Sequence, residues 1–146
     1  MPSLRLPEAL DPLLPFCRKH DDAVEHACFD TYADLVVFSA SYGFQHLQGA
    51  KPPNPKIFLN TPYPIDIAIF KNQHFFPQLL LIGLATERTQ EIARDEEKLC
   101  RLIEAFAAEG GKALTAELKQ STPASFYIEL ANLLEEAAAG KKSVTI

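Results

Sequence analysis

The segment that decides the fold runs from Thr31 to Gln48 and reads TYADLVVFSASYGFQHLQ. Thr31 followed by Asp34 is typical of a capping box, in which two side chains bond reciprocally to backbone N–H groups at a helix start; Asp stands here in place of the usual Glu. An apolar run follows directly. The pattern therefore predicts a helix from about Tyr32 to Gln48, with Gly49 as its stop.

Apolar side chains surround most of this helix. One stripe at spacings of three or four contains Leu35, Phe38, Tyr42 and His46, and further apolar residues lie on either side of it. A helix that is apolar on most sides belongs in the centre of a core. Gly43 inside the helix costs on the order of 1 kcal/mol relative to alanine, and we interpret it as the site of a close helix crossing.

The N-terminal region combines an extended arm with a short helix. Residues 3–7 alternate polar and apolar side chains, which indicates an extended arm. We expect residues 1–6 to be loose. Pro12 and Pro15 suit the first turn of a helix that ends near Lys19, because early helical positions have no internal partner for the missing N–H.

A second strongly apolar helix is predicted over residues 78–86, where Pro77 opens it. It is apolar on more than one side, as is the helix from Tyr32 to Gln48. We therefore predict that these two helices form the central pair of the fold, with Leu81 buried between them and the rest of the core.

Glycine and proline positions divide the C-terminal third into three predicted helices. Gly110 and Gly111 end the first, whose amphipathic spacing begins at about Asp95. A second, shorter helix is predicted through Leu114 and Leu118, and a third from Pro123 to Gly140. Residues 141–146 are expected to form a loose tail.

A long proline-rich loop separates the two halves of the chain. Residues 51–64 contain five prolines and cannot carry a continuous helix. The apolar residues Ile57, Phe58 and Leu59 within it indicate that the loop folds back onto the body. The segment from Ile65 to Ile69 fits both an alternating strand and a helical turn, and both assignments stay open.

Length and composition fit one folded domain. The chain has 146 residues, of which 47% are hydrophobic and 23% charged, close to the average for globular proteins. We predict a mainly α, single-domain helical bundle over residues 1–146, with the long proline-rich loop and with room for one short strand or hairpin.

Charge and cysteine content exclude some classes of protein. A formal net charge of -5 argues against a general nucleic-acid binder. The three cysteines are an odd number and no signal peptide opens the sequence, so we expect a reducing cytoplasm. The longest apolar runs fall far short of the roughly 20 residues that span a bilayer, which predicts no membrane helix.

No residue pattern indicates a catalytic, metal or cofactor site. Cys17, His20, His26 and Cys28 could ligate zinc, but their spacing matches no standard zinc module. A cysteine nucleophile would need a lowered thiol pKa, which no sequence pattern here indicates. Acidic and basic residues mixed over residues 87–98 are typical of a solvated, salt-bridged helix face. No phosphate-binding loop, dinucleotide glycine pattern or hydrolase elbow is present, so no cofactor is predicted.

Basic and aromatic side chains meet in sequence around the proline-rich loop. Between residues 50 and 86 the only basic residues are lysines, and they face a single acidic residue. Such a set could contact a partner protein or a nucleic-acid backbone, or it could simply keep the loop soluble. The candidate contact residues are Tyr42, His46, Lys51, Lys56 and Lys71.

Several stretches of the chain resemble a known family. The similarity to the family lies mainly at hydrophobic and glycine positions. The stretches are Phe29 to Phe44, Lys51-Pro52-Pro53, Pro64-Ile65, Leu81 to Ala85 and Ile103 to Gly111. They look like the Dnd system-associated protein 4 group, small accessory proteins associated with bacterial DNA phosphorothioation operons. The resemblance extends from Phe29 to Leu118.

The absence of a catalytic motif favours a non-enzymatic protein, and the resemblance implies that it is an accessory or adaptor protein of a bacterial DNA phosphorothioation or related phage-defence system. Such a protein would act through contacts with other protein subunits of the system, with weak contact to DNA as a further option. The alternative is a small DNA-binding transcriptional regulator that reads DNA through the N-terminal arm and the Tyr32 to Gln48 helix. A small hydrolase with an unrecognised carboxylate or cysteine site is a third hypothesis.

We predict that the purified protein carries no structural zinc, because its four candidate ligands lack a recognised module spacing. Elemental analysis of the purified chain measures this directly. Stoichiometric zinc that disappears when Cys17 and Cys28 are replaced would contradict the prediction.

Overall fold

A computed structural model describes residues 2–20, 23, 27–48 and 50–118, and it is mainly helical, as predicted. The helix predicted from Pro123 to Gly140 and the tail at residues 141–146 lie outside the described residues. In chain order the elements are β1 (Ser3–Leu4), a 3-10 helix (Glu8–Phe16), α1 (Tyr32–His46), β2 (Ile65–Asp66), α2 (Ile67–Asn72), α3 (Phe76–Glu87), a second 3-10 helix (Gln90–Ala93) and α4 (Glu96–Leu118).

Helix α1 begins where the sequence predicts. The Thr31 N–H donates to Asp34 Oδ2 at 3.0 Å, and the Asp34 N–H donates to Thr31 Oγ1 at 3.2 Å, so the capping box is confirmed. The helix ends at His46, two residues before the predicted end. Gln48 has a φ of 53°, and such a left-handed residue terminates a helix. Gly49, the predicted stop, lies outside the described residues.

Helix α4 is the central element of the described fold. Every side chain from Leu102 to Ala108 is buried, because α1, α3, β1 and both 3-10 helices all pack around this helix. The prediction that Gly110 and Gly111 end the helix is wrong. α4 continues through both glycines to Leu118 and includes the stretch predicted as a separate short helix.

The glycines lie where α4 crosses α1 with the two backbones in contact. A Cβ added to Gly43 would lie 2.1 Å from the carbonyl oxygen of Phe106, and one added to Gly110 would lie 1.7 Å from the carbonyl oxygen of Ser39. Neither position has room for a side chain. The predicted close crossing at Gly43 is therefore confirmed, and Gly110 supplies the other side of it.

Helix α3 lies at the edge of the core. It packs through Leu79, Ile82 and Gly83, mainly against the second 3-10 helix and α4. The predicted central pair is wrong, because α1 packs chiefly on α4 and hardly on α3. Leu81 was expected to be buried but is 65% exposed, since only one face of this apolar helix has a neighbour among the described residues.

The N-terminal arm is held in the fold. β1 pairs antiparallel with β2, with Ser3 opposite Asp66 and Leu4 opposite Ile65, and the side chains of Leu4 and Leu6 are fully buried. The expectation of a loose arm is therefore wrong over residues 3–6, because two apolar side chains anchor it. Both assignments left open for the segment that starts at Ile65 are realised in turn: β2 leads directly into α2.

The first helix differs from its prediction in position and type. It is a 3-10 helix over Glu8–Phe16 and does not continue to Lys19. Pro12 and Pro15 lie inside it, and a proline ring inside an α-helix clashes with the carbonyl four residues earlier. The tighter helix bonds to the carbonyl three residues back instead.

We predict that Gly110→Ala lowers the free energy of unfolding by roughly 3 kcal/mol or more, because the new methyl group meets a backbone oxygen that cannot move without separating two helices. Urea unfolding followed by circular dichroism measures the change. Gly83→Ala is the matched control. The nearest atom there is the end of the Leu99 side chain, at 2.7 Å, which can rotate away, and alanine favours the helix by about 1 kcal/mol. Equal stabilities of the two variants would contradict the crossing described here.

Candidate functional site

The candidate site is an open groove of about 600 Å³ on the surface of the helical body. We call it the interaction groove. One wall is the first 3-10 helix with Pro7, the second wall is the loop segment Pro55 to Ile57, and the floor is the last part of α4 from Ala108 to Ala116. Its lining is mainly apolar. Its volume lies in the range of ligand pockets, roughly 300–1,000 Å³.

The proline-rich loop forms a wall because it folds back onto the N-terminal arm. The Glu8 N–H donates to the Ile57 carbonyl at 3.1 Å, and the Leu59 N–H donates to the Leu6 carbonyl at 2.8 Å. This confirms the prediction that the loop packs on the body. Ile57 itself is 62% exposed, so a large apolar side chain lies on the wall of the groove and faces solvent.

An ion pair between a partly exposed arginine and a buried carboxylate joins the arm to α4. The Arg5 guanidinium donates to both carboxylate oxygens of Glu104, at 3.0 and 2.9 Å, and the Arg5 N–H donates to the same carboxylate at 2.7 Å. Arg101 approaches that carboxylate at 3.2 Å. The Glu104 side chain is 1% exposed, and its hydrogen bond with Arg5 raises the pKa of the guanidinium. A buried carboxylate is stable only with such partners.

Arg5 also connects the loop to this pair. Its guanidinium lies over the Phe58 ring, 3.8 Å from the ring centroid, which is a favourable cation–π geometry. Phe58 follows Ile57 of the wall, and Ala108 of the floor lies one helical turn beyond Glu104. Arg5 therefore holds the wall and the floor of the groove in one arrangement.

Sequence reasoning missed this interaction, although it left a signal. Glu104 falls among Leu102, Ile103 and Phe106 in the apolar part of α4, and a glutamate in such a position is almost always paired. Identifying Arg5 as its partner needs the fold, since 99 residues separate the two.

Of the five predicted contact residues, only Lys56 lines the interaction groove. Lys51 and Lys71 are engaged elsewhere. The Lys51 ammonium pairs with Glu87 at 2.9 Å and lowers the pKa of that carboxyl. Lys71 pairs with Glu96.

The other two predicted contact residues, Tyr42 and His46, lie at the end of α1. Their rings stack with centroids 6.5 Å apart and an angle of 10° between the planes. The Tyr42 hydroxyl donates to Glu117 of α4. Burial and this hydrogen bond both raise the pKa of Tyr42. Tyr42 therefore takes part in the contact between α1 and α4, whereas His46 is exposed beside it.

The acidic run of residues 87–98 forms surface ion pairs but is not one helix face at helical spacings, because it spans the end of α3, the second 3-10 helix and the start of α4. Besides the pairs with Lys51 and Lys71, Glu87 contacts Lys98 at 3.9 Å and Glu97 contacts Arg101 at 3.5 Å. These carboxylates are thus used in ion pairs along the surface of the fold.

The cysteines are poor nucleophiles in this structure. Burial raises the pKa of Cys17 to about 12 and that of Cys100 to about 11, and it also raises the pKa of Cys28. Only thiolates attack or ligate effectively. No cluster of three or more metal-ligating side chains occurs within the described residues, and His26, one of the four zinc candidates, lies outside them.

The chain is similar to a known protein family. A model of the family described as DNA sulphur modification system-associated protein 4 matches residues 14–144. No curated protein and no solved structure matches the chain. Within the part of the chain that the structure describes, no helix is long and apolar enough to cross a membrane.

We predict that Arg5→Ala lowers the free energy of unfolding by roughly 3 kcal/mol, because it leaves the buried Glu104 carboxylate with one of its two arginines. Arg18→Ala is the matched control: Arg18 pairs with Asp30, and both side chains are mostly exposed, so the expected loss is below about 1 kcal/mol. Chemical denaturation of both variants measures the difference. Equal losses would show that the Arg5 pair is no stronger than a surface pair.

Proposed function

We propose that this chain, which belongs to the DNA sulphur modification system-associated protein 4 family, is a non-enzymatic adaptor that binds another protein of such a system through the interaction groove. The family is associated with a DNA sulphur modification system. The single observation that carries the adaptor proposal is the mainly apolar groove with the exposed Ile57 on its wall. We place its action in the cytoplasm, within defence against phage.

The groove has the properties of a protein-binding surface. Exposed apolar patches bounded by polar residues are typical of such surfaces. Pro55 restricts the backbone of the loop wall, and backbone hydrogen bonds from Glu8 to Ile57 and from Leu59 to Leu6 hold this part of the loop against the N-terminal segment. A wall that is ordered before binding loses little conformational entropy when a partner docks.

The buried carboxylate and the buried thiols of the described residues are poorly placed to act as nucleophiles. Glu104 is bonded by Arg5 and Arg101. The buried cysteines, Cys17 and Cys100, have thiol pKa values well above neutrality. These observations favour an adaptor over a hydrolase with a carboxylate or cysteine nucleophile.

The geometry gives little support to a regulator that reads DNA through the arm and α1. The arm is paired with β2, with Leu4 buried. α1 is largely buried and exposes chiefly Gln45 and His46 at its end. A recognition helix must instead present a face of several side chains to the major groove.

We predict that Ile57→Arg abolishes co-purification of the chain with its partner, because a charged side chain on the groove wall opposes the burial of apolar surface. The tagged chain would be co-expressed with the protein components of a DNA sulphur modification system, and the retained components would be quantified by mass spectrometry. We expect at least a roughly tenfold loss.

Leu81→Arg is the matched control for this experiment. Leu81 is as exposed as Ile57, at 65% against 62%, but it lies on α3 and does not line the groove. Retention of a component by wild type and by Leu81→Arg alone supports the proposal. Retention by Ile57→Arg would exclude the groove, and absence of any component from the wild-type eluate would reject the adaptor function.

A further inference from the structure

The interaction groove carries a charge opposite in sign to that of the whole chain. Lys56 lies on the loop wall and Lys112 on the floor, while Glu8 is the one acidic residue lining the groove among those the structure describes. The chain as a whole has a formal net charge of -5. The described lining therefore has a small positive formal charge, on a chain that is acidic as a whole.

Both lysines lie on exposed side chains. Lys56 forms no ion pair with any residue that the structure describes. The Lys112 ammonium lies 3.6 Å from Glu109, so a ligand carboxylate competes there with a surface ion pair, and such pairs contribute little. Lys51 and Lys71 lie outside the groove, where they pair with Glu87 and Glu96.

Apart from its charged residues and Thr115, the described lining is apolar. Pro12, Ile57 and Ala108 contribute surface that gains free energy only when apolar atoms cover it. A DNA backbone would leave this surface uncovered. It would also extend beyond the groove, where its phosphates would meet the acidic remainder of the chain. The two lysines would not offset this repulsion, because their attraction is screened beyond about 8 Å at physiological salt.

We propose that the groove binds a short segment of a partner protein in which apolar side chains alternate with aspartate or glutamate. The apolar side chains cover the floor and the Ile57 wall, and the carboxylates pair with Lys56 and Lys112. This inference rests on the adaptor function proposed above and names the chemistry of its partner. Because the groove is open, a chain segment can lie along it with its ends continuing into solvent.

Synthetic peptides test this inference. Overlapping peptides of about 15 residues, covering the component retained by the wild-type chain, would be titrated with the full-length protein by fluorescence anisotropy at low and at physiological salt. We expect the binding peptides to contain acidic residues and to bind more weakly as salt rises. Replacing their Asp and Glu by Asn and Gln should weaken binding by about tenfold or more.

The double variant Lys56→Glu with Lys112→Glu reverses the charges on the protein side and should weaken peptide binding by a similar factor. The double variant Lys56→Arg with Lys112→Arg keeps the charges and should retain binding. Lys19→Glu with Arg94→Glu is the matched control, because both side chains are exposed outside the groove and the change in net charge is the same. It should leave binding unchanged.

Failure of this inference differs from failure of the adaptor function. If the component is released by Ile57→Arg but neither lysine reversal nor peptide neutralisation weakens binding, the groove is used and the acidic segment is wrong. Two other results would overturn the inference, in each case with no peptide bound. If a short DNA duplex binds and lysine reversal abolishes that binding, DNA is the occupant of the groove. If light scattering shows a dimer that lysine reversal dissociates, a second copy of the chain is the occupant.

Discussion

The fold depends on the contact between the backbones of α1 and α4 at Gly43 and Gly110. Ser39 and Phe106 present carbonyl oxygens where side chains would otherwise lie. Close approach of two helices removes apolar surface from water along their whole length and leaves no space for a methyl group at the crossing. α4 can therefore be enclosed by the other elements, with α1 covering one side and the first 3-10 helix another.

An enclosed central helix determines where the rest of the chain can bind. The Glu104 carboxylate on α4 is buried, so it requires cations, and Arg5 and Arg101 supply them. Arg5 thereby fixes the arm, and through Phe58 it holds the proline-rich loop. The loop then lies beside the last turns of α4, and the space left between them is the interaction groove. The candidate site is thus a consequence of how a buried charge is neutralised.

Features that depend on residues close together in the sequence could be predicted from the sequence. Thr31 and Asp34 cap α1 as expected, because a capping box acts within one helix. Gly43 marks a crossing as expected, because a glycine inside an apolar helix has few other uses. Gly110 was interpreted as a helix stop, since a glycine that ends a helix and one that admits another backbone look alike without the partner. The periodicity of α3 could not show which of its faces has a neighbour, so Leu81 was misplaced. Lys56 was identified as a contact residue, whereas Lys112 was not, because the two meet only after the loop has folded onto α4.

Site-specific photo-cross-linking from position 57 in the full chain, co-expressed with the proteins of a DNA sulphur modification system, shows directly what the interaction groove binds. We predict cross-links from this position to an acidic, partly apolar segment of one component, and none to that segment from position 81 on α3. Cross-links from position 81 alone, or from position 57 only to another copy of the chain or to its own residues, would contradict this prediction.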